Sequence, residues 1–127
     1  MMVLEYLNTR QAPEAIGPYN QAVKAGNLLF VSGQLPIDPV TGEMVKGDSG
    51  VQTKQCMKNV LAILEASGLD ENNIAKATIY VTNLGEFNLV NEAYGAFFVK
   101  DYPARACIEV SSLPKGAGVE IEAVACL

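Results

Sequence analysis

The sequence has no histidine and no tryptophan, only two arginines, and three cysteines that never fall at C-x-x-C spacing. Without histidine, Ser-His-Asp and Cys-His nucleophiles, imidazole zinc sites and the imidazole acid–base pairs of many ribonucleases are excluded. An odd number of widely separated cysteines, Cys56, Cys107 and Cys126, cannot pair fully within the chain and fits a reducing compartment. Cys56 and Cys126 read as small buried hydrophobes. A basic stripe is also missing. Lysines and arginines are scattered singly and the net charge is −5, so a nucleic-acid partner is not expected. No apolar run reaches the roughly 20 residues that span a bilayer. The opening MMVLEYLNTR carries Glu5 and no apolar h-region, so it does not read as a signal peptide. A cytoplasmic protein without a membrane partner is the expectation.

What is present is enough apolar residue for one core. The chain has 127 residues, half of them hydrophobic, without repeats or linkers, and it reads as a single domain over 1–127. The first seven residues alternate loosely, as a strand can. Ala12 to Tyr19, with two prolines and a glycine, is a loop. Gln21 to Ala25, the Gly26-Asn27 turn and the apolar run Leu28 to Gly33 have the pattern of a β-hairpin. Pro36 to Gly50 is turn-rich. Ser49 and Gln52 have capping-box spacing, followed by Val51, Met57, Val60, Leu61 and Leu64 at helical intervals and a stop at Gly68, predicting a helix from about 50 to 67.

Ile74 to Thr82 is β-branched and reads as a strand. Asn83 with Glu86 resembles a second cap. After it Phe87, Val90, Asn91, Tyr94 and Phe98 share a helical face, and that helix ends before Pro103. Arg105–Val110 and Val119–Cys126 alternate as strands, joined by the turn-rich Ser111–Gly118. The order β-β-α-β-α-β-β predicts an α+β (α/β) fold: one mixed sheet with two helices packed on one face. The other face is expected to carry Arg105, Glu120 and Glu122 beside apolar residues, a mixture best explained by burial against another subunit.

Arg105 follows Pro103-Ala104 at the start of a strand and offers a planar fork that matches a carboxylate. A solvated or ion-paired strand-start arginine is the plain alternative. The Cys107 backbone N–H could add a donor to a bound anion. Glu120 and Glu122 point to one side of a strand, roughly 6.6 Å apart. They are either an exposed acidic pair or, if one is desolvated, a carboxyl with a raised pKa suited to proton exchange. Tyr19 sits in a proline-bracketed loop and either packs or donates. Ser32 lacks a histidine to activate it, so no nucleophile is read there, while Gly33 would admit a ligand close to the backbone. Lys115 to Gly118 lacks Walker spacing and reads as a turn. Phe87 and Asn91, four apart, share a helix face, with Phe87 in the core or against a ligand.

These residues carry a resemblance. Ile16-Gly17-Pro18-Tyr19-Asn20-Gln21-Ala22, Val31-Ser32-Gly33-Gln34, Pro103-Ala104-Arg105-Ala106-Cys107, Leu113-Pro114-Lys115-Gly116 and Val119-Glu120-Ile121-Glu122 resemble, in order, the motifs of the Rid (YjgF) family, nearest its RidA subgroup. Asn20, where serine is frequent, and Ile108-Glu109 depart mildly from the pattern. The resemblance implies a chorismate-mutase-like fold and a homotrimer with a central β-barrel and sites between subunits. It also implies cofactor-free hydrolysis of 2-enamine and 2-imine acids, such as 2-aminoacrylate and 2-iminobutanoate, to 2-oxo acids and ammonia. Carried over, Arg105 grips the carboxylate with help from the Cys107 N–H, and Glu120 handles water and protons. Tyr19, Ser32 and Gly33 line the imine nitrogen, and Phe87 and Asn91 close the site. A regulatory carboxylate-binding protein and an RNA-cleaving translation inhibitor are the rival expectations.

Overall fold

The computed structural model describes residues 3–127. Six strands form one sheet: β1 (Leu4–Leu7), β2 (Ala22–Ala25), β3 (Leu28–Gln34), β4 (Ile74–Val81), β5 (Ala104–Glu109) and β6 (Val119–Cys126). The helices are α1 (Ser49–Ala66) and α2 (Phe87–Gly95). The sheet order is β1-β2-β3-β6-β4-β5, with β4 and β5 parallel and every other pair antiparallel. The expected α+β class is therefore observed, and the loosely alternating amino terminus supplies an edge strand. Met1 and Met2 lie outside the described residues. β6 inserts between β3 and β4, so the unit β3-α1-β4 is a split β-α-β.

Both helices cover one side of the sheet. Leu29 and Val31 of β3, Ala77, Ile79 and Val81 of β4, and Val119, Ile121, Ala123 and Ala125 of β6 are buried under Cys56, Met57, Val60, Ile63 and Leu64 of α1 and Val90 and Tyr94 of α2. The alternation of β6 predicted this layer correctly, because every second residue of a strand faces one side.

The start of α1 departs from the capping-box expectation. Asp48 is the N-cap, its carboxylate accepting from the Val51 N–H at 2.9 Å. Ser49 instead donates its backbone N–H and Oγ to the Glu86 carboxylate, at 3.0 and 2.7 Å. Two good capping residues stand side by side here, and the long-range carboxylate takes the second. Glu86 is therefore not part of a cap box with Asn83; Asn83 alone accepts from the Gly85 N–H. Val51 is exposed rather than part of the buried stripe. At the other end Gly68, at φ +76°, closes a Schellman turn in which Gly68 N–H donates to Glu65 and Leu69 N–H to Leu64.

Two polar residues of α1 position loops. Buried Asn59 donates to the carbonyls of Leu35 and Ile37 at 3.0 and 2.9 Å. Gln52 accepts from Gly118 N–H at 2.8 Å and donates to the Val45 carbonyl at 3.1 Å. Buried amides that find such partners hold irregular backbone at a defined place. On the amino-terminal side Gln21 does the same, donating to Pro13 and accepting from Thr9. The reading of Cys126 as buried fails: it is exposed at the end of β6, whereas Cys56 is buried as expected.

Among the described residues no helix covers the far side of the sheet. Leu4, Tyr6, Leu28, Phe30 and Ile108 are exposed there, with Val23, Thr78, Tyr80, Glu120, Glu122 and Val124 half-buried among them. Glu120 and Glu122 lie on this side as predicted. Arg105 does not.

Candidate functional site

β5 is an edge strand, and its alternation did not reveal which set of residues meets the helices. The register decides. Arg105 pairs with Ala77, and Ala77 pairs with Ala123, both buried beneath the helices. Laterally paired residues point to the same side of a sheet, so Arg105, Cys107 and Glu109 belong to the helix side. Glu120 pairs with Tyr80, and Tyr80 with Ile108, on the bare side. Arg105 and Glu120 of one chain therefore face in opposite directions, which overturns the expectation that one face carries both.

The structure accordingly gathers the candidate residues into two groups. The first lines a cavity of 490 Å³ walled by Tyr19, Ser32, Gly33, Ile37, Lys115 and Glu120, among others. Glu120 is half-buried, and its pKa is raised above the ordinary carboxylate value, first by burial and then by the charge of Glu122. Glu122 itself accepts a hydrogen bond from the Tyr80 hydroxyl at 2.5 Å, which raises the Tyr80 pKa. The Glu120 carboxylate lies over Gly33 so closely that a Cβ there would stand 2.2 Å from its Oε2. Ser32 is already donating its Oγ proton to the Asn20 carbonyl at 2.6 Å, leaving its lone pairs to accept. Tyr19, half exposed, stands at the rim.

The segment read as a turn from Lys115 is one: Pro114–Gly116 is a single 3₁₀ turn with Lys115 at φ +58°. That left-handed conformation is uncommon for a residue with a side chain. It places Lys115 on the cavity wall, a contribution that the spacing of glycines did not show.

The second group surrounds Arg105. Its Nη1 donates to Asn91 Oδ1 at 2.7 Å, and its guanidinium carbon lies 5.6 Å from the Phe87 ring centre and 5.4 Å from that of Tyr94. The one ion pair among the described residues joins Lys24 to Glu5, so Arg105 meets no carboxylate among them. Phe87 and Asn91 come to this arginine as the helical spacing allowed, and Phe87 contacts it instead of the deep core. Burial pushes the half-buried Cys107 thiol up in pKa, with Arg105 pulling the other way.

The backbone adds a donor. Val110 N–H donates to the Val81 carbonyl at 2.8 Å. N–H groups alternate along a strand, so that of Cys107 points away from β4, towards the unpaired edge of the sheet. Among the described residues no cluster of three or more histidine, cysteine, aspartate or glutamate side chains could hold a metal ion. No helix of the described chain is long and apolar enough to cross a membrane.

Comparison with known proteins gives a consistent result. The family model described as endoribonuclease L-PSP matches residues 9–127. A RutC family protein of Sinorhizobium fredii is 54% identical over 96% of this chain and 97% of its own length. The human 2-iminobutanoate/2-iminopropanoate deaminase is 43% identical over 98% of this chain and 90% of its own. The crystal structure of Escherichia coli TdcF with bound serine superposes with a TM-score of 0.92 at 42% identity, covering 97% of this chain and 98% of that one.

Proposed function

The chain belongs to the endoribonuclease L-PSP family, the Rid, YjgF and RutC group, and on that premise we propose that it hydrolyses 2-imino acids to 2-oxo acids and ammonia. The observation that carries this reading is an arginine held on three sides and left without a carboxylate of its own. Such a guanidinium is a receptor for a small carboxylate, able to take it bidentately. The human relative bears the name of this activity, and TdcF was crystallised with an amino acid, a carboxylate of similar size.

The chemistry then follows from the two groups. Arg105 and the outward Cys107 N–H take the substrate carboxylate. Glu120 accepts a proton from water as its oxygen bonds to the imine carbon, and hands that proton to the nitrogen, which receives the C=N π pair. The carbinolamine then collapses: its hydroxyl proton passes through Glu120 to the nitrogen, the freed oxygen pair closes the C=O, the C–N bond breaks, ammonia leaves and the 2-oxo acid remains. A carboxyl group whose pKa is lifted by burial exchanges protons more readily near neutrality. Ser32 and Tyr19 face the nitrogen, Phe87 and Asn91 bound the arginine side, and no cofactor enters, because an imine is already electrophilic. The reaction asks mainly for positioning.

Since Arg105 and Glu120 of one chain face apart, one substrate meets both only across a boundary between subunits. The uncovered apolar side of the sheet favours such an assembly, which we take to be the homotrimer of the family resemblance. The family model's ribonuclease name suggests a second reading, but fourteen acidic against nine basic residues and no histidine favour a small-molecule substrate. Coupling the protein to a threonine dehydratase and following 2-oxobutanoate tests the proposal. Wild type accelerates imine decay and Arg105→Ala does not. Equal rates for the two would overturn it.

A further inference from the structure

The carboxylate reading names Arg105 but leaves open what keeps a long, exposed side chain in one orientation. Arginine has roughly 2 kcal/mol of rotamer freedom to lose on binding. Here three residues of α2 limit that freedom before any ligand arrives. Phe87, Asn91 and Tyr94 stand at i, i+4 and i+7, one above the other on a single helix face. The rings of Phe87 and Tyr94 lie on the guanidinium at 5.6 and 5.4 Å, within cation–π range. Asn91 takes one N–H of Nη1.

Tyr94 differs from the other two. It is 3% exposed, its hydroxyl meets no hydrogen-bond partner among the described residues, and burial pushes its pKa up to about 12. An unpaired buried hydroxyl is costly, so the ring rather than the hydroxyl accounts for its place. That ring continues into a row of aromatic contacts, Tyr94 tilted against Phe98 at 5.1 Å and Phe98 edge-on to Tyr102 at 6.0 Å. Tyr102 lies three residues before Arg105 on the same chain. The row thus runs from the approach to β5, across the end of α2, and back to the guanidinium.

We infer that Tyr94 is a positioning residue for Arg105, acting with Phe87 and Asn91 to present a pre-oriented guanidinium to an incoming carboxylate. The inference rests on the proposed function for its substrate class. Its test therefore includes binding of a plain carboxylate, 2-oxobutanoate, as well as turnover. Tyr94→Leu weakens 2-oxobutanoate binding by calorimetry about tenfold, equivalent to about 1.4 kcal/mol, and raises KM for the imine with little change in kcat. Tyr94→Phe, which keeps the ring, restores most of that affinity. In an Arg105→Lys background Tyr94→Leu has little further effect, because the stacked planar group is already gone.

Additive losses in the double variant, or a fall in kcat and thermal stability with unchanged affinity, would overturn the inference and make Tyr94 a core residue only. If Tyr94→Leu does not fold, Phe87→Leu removes the other ring at a half-buried position and must show the same non-additivity with Arg105→Lys. Should wild type bind 2-oxobutanoate yet leave imine decay unchanged, the deaminase proposal fails while the pattern of affinities still decides the role of Tyr94.

Discussion

Gly33→Ala isolates the placement of Glu120 from nearly everything else. The added Cβ would stand 2.2 Å from Glu120 Oε2, 2.9 Å from its Cδ and 3.2 Å from its Cγ. Ordinary non-bonded contact needs more than about 3 Å, so the carboxylate must retreat by roughly 1 Å. The atoms in the way are the end of a flexible side chain, and Gly33 is not among the glycines at positive φ. The backbone therefore accepts alanine, and the smaller entropy of the unfolded chain stabilises the fold by about 0.4–1 kcal/mol, less whatever moving the carboxylate costs. A reacting group displaced by 1 Å loses about 10²-fold in rate. The expected variant is thus at least nearly as thermostable as wild type and about a hundredfold slower in the coupled imine assay, with KM changed much less than kcat. In a Glu120→Gln background the same substitution adds almost nothing. Turnover within threefold of wild type would refute the reasoning, since the carboxylate would then not need the place it occupies over Gly33.

Other outcomes follow from the same geometry. Arg105→Ala removes two charge-assisted hydrogen bonds of about 1.5–3 kcal/mol each, lowering kcat/KM by at least about 10²-fold; Arg105→Lys recovers little, because an ammonium is not a planar fork. The raised pKa of Glu120 means that its stabilising contribution is fully present below the unfolded carboxylate value and is lost as pH rises through the folded one. Glu120→Gln should flatten the fall in melting temperature as pH rises above the ordinary carboxylate range, and Glu122→Gln should move the acid limb of the kcat profile to lower pH. Asp48→Ala deletes the α1 cap and costs about 1 kcal/mol, visible in urea titration, with the activity of the folded enzyme retained. The proposed homotrimer predicts that Phe30→Glu, on the uncovered side of the sheet, shifts sedimentation towards monomer and abolishes turnover with it.

Much of the fold was legible because strong local signals agreed with the tertiary outcome. The Gly26-Asn27 hairpin, the β-branched β4 and the alternating β6 are elements whose pattern and burial coincide. The faces of β5 were not legible. An edge strand is exposed on both sides, and here the apolar set, Ala106 and Ile108, faces the bare side while Arg105, Cys107 and Glu109 face the helices, the reverse of what the alternation suggests. Only its pairing with Ala77 and Ile79 reveals the inner set. The α1 cap was misassigned because Asp48 and Ser49 are both good caps, and the tie from Ser49 to Glu86 spans 37 positions. Among the candidate site residues, Glu120, Gly33 and Ser32 line one cavity, and Phe87 and Asn91 lie against Arg105. Tyr94 was read only as part of an apolar face. Its seven-residue offset from Phe87 was the available signal, but nothing local says that an arginine from another element lies across that face.

The opposite orientation of Arg105 and Glu120 also bears on how variants should behave in mixtures. If the two halves meet only between subunits, an Arg105→Ala chain still carries an intact Glu120 half, and a Glu120→Ala chain an intact Arg105 half. Neither is active alone. Refolded together at equal amounts, they would rebuild a complete cleft wherever an intact arginine half abuts an intact glutamate half, in about a quarter of the boundaries. Two dead alleles would thus rescue one another in the same cell, whereas a copy defective in both halves, expressed at equal amounts beside a sound one, would spoil about three quarters of the clefts, more than its share of chains.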